Sequence, residues 1–88
     1  MSDSRSLAVA LYYEKQDGGA PRVVAGGRGA IGDKIVETAR AHGVPVESNP
    51  GLATALADVE VGEEIPIELY KAVAEVLIFI LRMSGRVR

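Results

Sequence analysis

Residues Leu7-Ala8-Val9-Ala10-Leu11-Tyr12-Tyr13 are apolar at consecutive positions and carry β-forming side chains, which predicts a strand covered on both faces. The polar, glycine-rich Glu14-Lys15-Gln16-Asp17-Gly18-Gly19 predicts a turn, and a second run, Arg22-Val23-Val24-Ala25, follows at once. The two runs should pair antiparallel, with Pro21 at a strand start that tolerates a missing donor. After Gly26-Gly27-Arg28-Gly29 the spacing lengthens: Ile31, Ile35, Ala39 and His42 recur every third or fourth position beside Val36, the stripe of a helix that Gly43 stops. Val44-Pro45-Val46-Glu47 then reads as a third short strand. A strand, helix and strand of this length normally close a right-handed parallel crossover, so the expected sheet is mixed.

Asn49-Pro50 starts a brief helix, with Asn as its cap and Pro in the first turn, and Leu52 and Leu56 share one face. Asp58-Val59-Glu60-Val61-Gly62-Glu63-Glu64 alternates acidic and apolar residues and fits either a short edge strand or an extended connector. The longest helix is predicted over 66–83, opened by Pro66, with Glu68 in its first turn, Arg82 near its end and Gly85 as its stop. Leu69, Val73, Val76, Leu77 and Ile80 form its inward stripe, while Ile78, Phe79 and Leu81 complete a nearly all-round apolar girdle. Such a girdle belongs either to a core helix packed on two sides or to a surface that holds a partner. The pattern as a whole predicts a small α/β (α+β) domain: a mixed sheet of three to four strands surrounded by about three helices. It occupies residues 7–85, between a flexible tail over 1–6 and a frayed end over 86–88.

Composition narrows what such a domain can do. A chain of 88 residues has room for one core, and 48% hydrophobic with 25% charged residues is the balance of an ordinary globular domain. With no cysteine, disulfides and thiolate metal sites are excluded, in agreement with a reducing compartment. A net charge of −2 with scattered basic residues offers no footprint for a phosphate backbone, so nucleic acid is not an expected partner. The start, Met1-Ser2-Asp3-Ser4-Arg5-Ser6, lacks the apolar stretch of a signal peptide. The longest apolar run, Val76-Leu77-Ile78-Phe79-Ile80-Leu81, falls far short of the roughly 20 residues that span a bilayer as a helix. A soluble chain is expected.

One local motif points to chemistry. Gly27, Gly29 and Gly32 form a G-x-G-x-x-G between a predicted strand and a predicted helix, and Glu47 stands where a dinucleotide fold places its ribose-binding acid. A small nucleotide-binding protein is therefore the alternative function. Against it, the dinucleotide site needs a parallel sheet with a switch-point crevice, and the chain after Glu47 lacks the second half of that fold. Glycine is also a ready means of leaving a strand and starting a helix. His42 has neither Cys nor a second His beside it, and its place at a helix end suits a capping contact rather than a metal. Asp58, Glu60, Glu63 and Glu64 lack the spacing of a calcium loop and read as a solvated acidic edge. No serine or threonine has an identifiable base and orienting group, so neither a catalytic residue nor a cofactor is expected.

Several blocks in register carry a family resemblance: Leu7-Ala8-Val9-Ala10-Leu11; Ala20-Pro21-Arg22-Val23-Val24-Ala25-Gly26; Gly43-Val44-Pro45-Val46-Glu47-Ser48-Asn49-Pro50-Gly51-Leu52-Ala53; Val61-Gly62-Glu63-Glu64-Ile65-Pro66; and Glu68-Leu69-Tyr70-Lys71-Ala72-Val73-Ala74-Glu75-Val76-Leu77. Together they resemble the cytoplasmic C-terminal domain of the FlhB/YscU family, the export-switch proteins of flagellar and type III secretion systems. The resemblance implies a small sheet wrapped by helices at the cytoplasmic face of the inner-membrane export apparatus. There the family domain admits early substrates and then switches specificity to late ones. The implied partners are export-gate proteins, rod- and hook-type substrates, and the hook- or needle-length ruler protein.

Departures from the family matter equally. Members carry a transmembrane region and an Asn-Pro-Thr-His self-cleavage site just before the first strand, and in this register Asp3, Ser4, Arg5 and Ser6 occupy the cleavage positions. Without the Asn that attacks its own carbonyl, and without the following Pro, self-cleavage is not expected. The chain resembles the fragment that cleavage leaves, acting as a stand-alone domain recruited by contacts. Small apolar residues of the family's substrate-receiving patch match Ala20, Pro21, Ala53 and Leu56. The plainer role of these four is structural, Pro21 starting a strand and Ala53 and Leu56 packing the short helix. Gly51 stands where the family usually has a second proline.

Overall fold

The computed structural model describes residues 6–13 and 19–83. Among these, β1 (Leu7–Tyr12) and β2 (Arg22–Arg28) form an antiparallel pair, followed by α1 (Ala30–Ala41), α2 (Pro50–Leu56), a 3₁₀ turn at Ile67–Leu69 and α3 (Tyr70–Met83). Most of the expected turn over 14–19, the tail over 1–5 and the stop at Gly85 lie outside the described residues.

The hairpin pairs as the apolar runs require, from Leu7 opposite Arg28 to Tyr12 opposite Arg22, with one irregularity. Ala10 faces Ala25 but Leu11 faces Val23, so Val24 is the extra residue of a bulge. The bulge turns Val24 outward and lets Val23 reach the core, where it is 1% exposed. Leu56, Ile65 and Val73 complete the buried centre, with Val9, Leu11, Leu52, Leu69 and Leu77 packed around it. Side chains of a strand alternate between faces, so Val9 and Leu11 look toward α2 and α3 while Ala8 and Ala10 look the other way. Gly27 pairs with Ala8 and so shares its face, and a Cβ at Gly27 would meet the Ile31 side chain of α1. α1 therefore covers the second face. The small domain is thus mixed α/β, with three helices against two described strands.

Residues 44–49 correct the expectation of a mixed sheet with three to four strands: among the described residues the sheet has two strands, both antiparallel. The reason is local. The Val44 amide donates to the Ala39 carbonyl at 2.8 Å and the Gly43 amide to Arg40 at 3.2 Å, a paired closure that needs the positive φ of 73° at Gly43. Pro45 has no N–H, and Val44 and Val46 are 52% and 40% exposed. The segment joins no ladder among the described residues.

The helical stripe of α1 holds at Ile35, Val36 and Ala39 but not at its two ends, Ile31 and His42, which are exposed. Ile31, expected inside, is 64% exposed, whereas Gly32 is buried and Ile35, Val36 and Ala39 are half-buried. The buried row is Gly32-Ile35-Val36-Ala39, because the first turn lies too close to β1 to admit a side chain. His42 caps the far end, its Nδ1 donating to the Thr38 carbonyl at 2.9 Å.

Residues 58–64 prove to be a connector with a single bridge, Arg22 to Glu64, and not a strand. The connector nevertheless runs along β2: Val23 N–H donates to Glu63 O, Gly62 N–H to Val23 O, and Ile65 N–H to Pro21 O. Arg22 adds a donation to Gly62 O at 2.8 Å and an exposed ion pair with Glu64 at 3.8 Å. The outer edge of β2 is thereby partly satisfied.

α2 begins as its sequence demands, with the Asn49 side chain accepting from Leu52 N–H at 3.1 Å and Pro50 in the first turn. Replacing Asn49 with Ala leaves that amide without its acceptor and should cost about 1 kcal/mol. Thermal denaturation should show this as a fall of about 4–8 °C. The final helix has a softer start than expected: a 3₁₀ turn follows Pro66 and the α-helix proper begins at Tyr70.

Candidate functional site

Of the four residues expected to receive substrates, the fold joins some and separates others. Ala53 and Leu56 lie three positions apart on α2 and share a face. Ala20 packs against the cluster that contains Leu56, and Leu56 is only 4% exposed, so its side chain is committed to the core. Pro21 is half-buried at the start of β2, its carbonyl taken by Ile65. Ala53 is half-buried and lines a large groove that Ala20 and Pro21 do not reach.

On α3 the apolar girdle is split. Val73 is buried and Leu69 and Leu77 pack on the core, whereas Ile78, Phe79 and Leu81 are 51%, 47% and 49% exposed. The helix is packed along one stripe and presents the rest of its second half at the surface.

The groove itself was not anticipated. It encloses about 550 Å³ and is lined by five consecutive residues of β1, Leu7 to Leu11, and by residues 44–50 on the opposite side. Neighbouring residues on a strand point to opposite faces, so a space that touches five in a row lies along the strand's edge and not over one face. Ile35, Val36 and Ala39 of α1 wall it on one side, and Leu52, Val76 and Ile80 of α2 and α3 on the other. Arg40 and Glu47 are the charged residues on its lining. One sign of it was legible in the sequence: a strand apolar on both faces belongs in the interior of a sheet, with a neighbour on each edge.

The glycine motif has no comparable space. A Cβ on Gly32 would lie 2.8 Å from the Gly27 carbonyl oxygen and 3.2 Å from that of Ser6. The Gly29 amide, at a φ of 61°, donates to Ser6 O at 2.7 Å. These glycines serve close packing of α1 on the hairpin. Glu47 lines the groove and Gly27, Gly29 and Gly32 do not, so the acid and the glycines are not assembled into one site. With no parallel strand among the described residues, the switch-point crevice of a dinucleotide fold is missing too.

Comparison with known proteins agrees with this architecture. Residues 3–80 match the model of the FlhB HrpN YscU SpaS family. YlqH of Bacillus subtilis is 38% identical over 81 residues, covering 92% of this chain and 87% of YlqH. The flagellar biosynthetic protein FlhB of Aquifex aeolicus is 47% identical over 82 residues, 92% of this chain but 23% of the relative. The chain thus spans nearly all of YlqH and about a quarter of that FlhB. Among solved structures, the PscU C-terminal domain superposes with a TM-score of 0.78 at 31% identity, over 83% of this chain and 94% of that domain. The cytoplasmic domain of FlhB from Shewanella putrefaciens gives 0.80 at 36% identity, over 85% of this chain and 61% of that one. No helix among the described residues is long and apolar enough to cross a membrane. A family match over residues 3–80, relatives 38% and 47% identical, and a shared fold with two solved C-terminal domains lead to one conclusion: this chain belongs to the FlhB HrpN YscU SpaS family.

Proposed function

We propose that the chain is a non-enzymatic component of a flagellar or type III protein export apparatus that binds export substrates and contributes to the switch in substrate specificity. The observation that carries this reading is the family match over residues 3–80, together with the shared fold of the C-terminal domains. Its place is the cytoplasmic side, held by contacts at the inner-membrane apparatus, and its partners are gate proteins, rod- or hook-type substrates and the length-ruler protein. Ala20, Pro21, Ala53 and Leu56 form the substrate-receiving region, with Leu56 acting from beneath by supporting Ala20 and α2. Ile78, Phe79 and Leu81 offer a second apolar surface for a gate protein. Self-cleavage is not part of the mechanism, since Asp3, Ser4, Arg5 and Ser6 lack the amide nucleophile; of these, Ser6 alone lies among the described residues.

The test is genetic. In a strain whose full-length FlhB-type protein has lost its own C-terminal domain, deleting the gene for this chain should abolish secretion of hook-type subunits, and supplying it in trans should restore secretion. Hook-subunit levels in the culture medium that do not respond to either change would remove the proposal.

A further inference from the structure

We infer that α3 is a self-association surface: two copies of the chain pair through antiparallel α3 helices about a two-fold axis at Ile78. The inference concerns the chain by itself and stands apart from the export reading.

α3 carries more apolar side chains than its contact with the core uses. Val73 is buried and Leu77 packs on the core, which fixes the inward side of the helix. Next to that side, Tyr70, Ala74 and Ile78 recur every fourth position and Leu81 follows three later, so the four form one continuous stripe. Tyr70, Ile78 and Leu81 are 45%, 51% and 49% exposed, and Ala74 is exposed as well. Phe79, one position past Ile78, points about 100° away round the helix and is not part of the stripe. Glu75 and Arg82 stand three positions before and four after Ile78 and border the stripe on its solvent side. Neither makes an ion pair among the described residues.

The border charges decide both the occupant and its direction. A two-fold axis at Ile78 sets each earlier residue beside one about equally far after Ile78 on the second copy. In an antiparallel pair the same borders of the two helices also meet. Glu75 then lies beside Arg82 of the second copy, and Arg82 beside its Glu75, so one isologous contact contains the attraction twice. Ala74 falls against Leu81 of the second copy, a small residue against a large one, and Ile78 meets Ile78 at the axis. Lys71 falls opposite the segment after Met83, outside the described residues. A parallel pair would bring Glu75 level with Glu75 and Arg82 level with Arg82, and lose both attractions. The stripe is thus complementary to itself in charge and in size. α3 is about 21 Å long, so the contact is smaller than a standard interface and the dimer is a weak one.

The test is sedimentation equilibrium of the full chain. The mean mass should rise from monomer toward dimer as the concentration approaches about 1 mM, the range of weak association. I78D should stay monomeric over that range and keep a thermal midpoint close to the parent's, because Ile78 is half-exposed. E75R and R82E each make both border contacts repulsive, and each alone should weaken the dimer about ten-fold. Mixed in equal amounts, the two variants supply each other's missing charge: the introduced arginine of one meets the introduced glutamate of the other, and the native pair forms on the opposite half. Association should then return to within about three-fold of the parent's. The inference is overturned if the mixture associates no better than either variant alone, or if I78D dimerises as the parent does. A parent that stays monomeric up to about 1 mM also overturns it and leaves the stripe to a partner of different sequence. Hook-subunit secretion does not enter this test, so its outcome is separable from that of the export proposal.

Discussion

Replacing Gly32 with Ala should destabilise the domain, although Gly to Ala within a helix ordinarily stabilises by about 0.4–1 kcal/mol. The sign reverses because the new Cβ would meet backbone on every side: Gly27 O at 2.8 Å, Ser6 O at 3.2 Å and Ala8 N at 3.4 Å. None of these atoms can swing aside. α1 would have to lift from the hairpin, and overpacking of this kind costs about 1–3 kcal/mol. For a domain of this size that corresponds to a fall in melting temperature of about 4–8 °C per kcal/mol. Gly27 to Ala should destabilise for a related reason: a rotamer change can move the Ile31 Cγ2 away from the new Cβ, but the Ile31 Cβ, fixed by the backbone of α1, would still lie 2.9 Å from it, so a loss of about 1–3 kcal/mol is expected here as well. A melting temperature for G32A at or above that of the parent would show that the first turn of α1 is not packed as described.

Leu56 to Ala should be the most damaging of the single substitutions considered. Leu56 is 4% exposed and belongs to a buried centre of four residues, with Leu52, Ala20 and Val9 around it. Truncating a buried leucine costs about 2–5 kcal/mol. A chain of this length has a total stability of about 4–13 kcal/mol, so urea denaturation should show a large fraction of it gone. The substitution also separates support from docking in the proposed substrate region. Export by L56A should fall in parallel with its folded fraction, because the side chain acts from inside. Ala53 to Asp places a charge on the half-buried outer part of α2 and should reduce export more than its smaller loss of stability explains. Equal effects of the two changes on export, after correction for folded protein, would remove Ala53 from the receiving region.

Much of the architecture could be read before any coordinates. The hairpin followed from two apolar runs flanking a glycine-rich turn, and α2 from the pair Asn49-Pro50, because both depend on neighbours in the chain. The misjudged elements share a different cause. Residues 44–47 have the composition of a strand, but pairing requires an adjacent edge, and the closure of α1 takes the Val44 amide first. Ile31 fits a helical stripe by spacing, yet the buried row runs through Gly32, because distance to β1 decided which position faces inward. The connector over 58–64 alternates like a strand and makes one bridge, since only Glu64 comes opposite Arg22.

The candidate site divides in the same way. The family was legible as aligned blocks, and the exposed second half of α3 as an apolar girdle. The groove left only an indirect sign, a strand apolar on both faces, because it arises between β1 and residues some 35 positions later, and spacing along the chain carries no information about the gap between them. The sequence alone determined the Asn49 cap, the pairing of the hairpin and the family, all of which rest on local backbone preferences or on residue identity. Only the tertiary structure decided which face of α1 is buried, how far α3 is covered and that β1 has an open edge. Those outcomes depend on close approach of distant segments, where steric fit and competition for amide hydrogens override local preference.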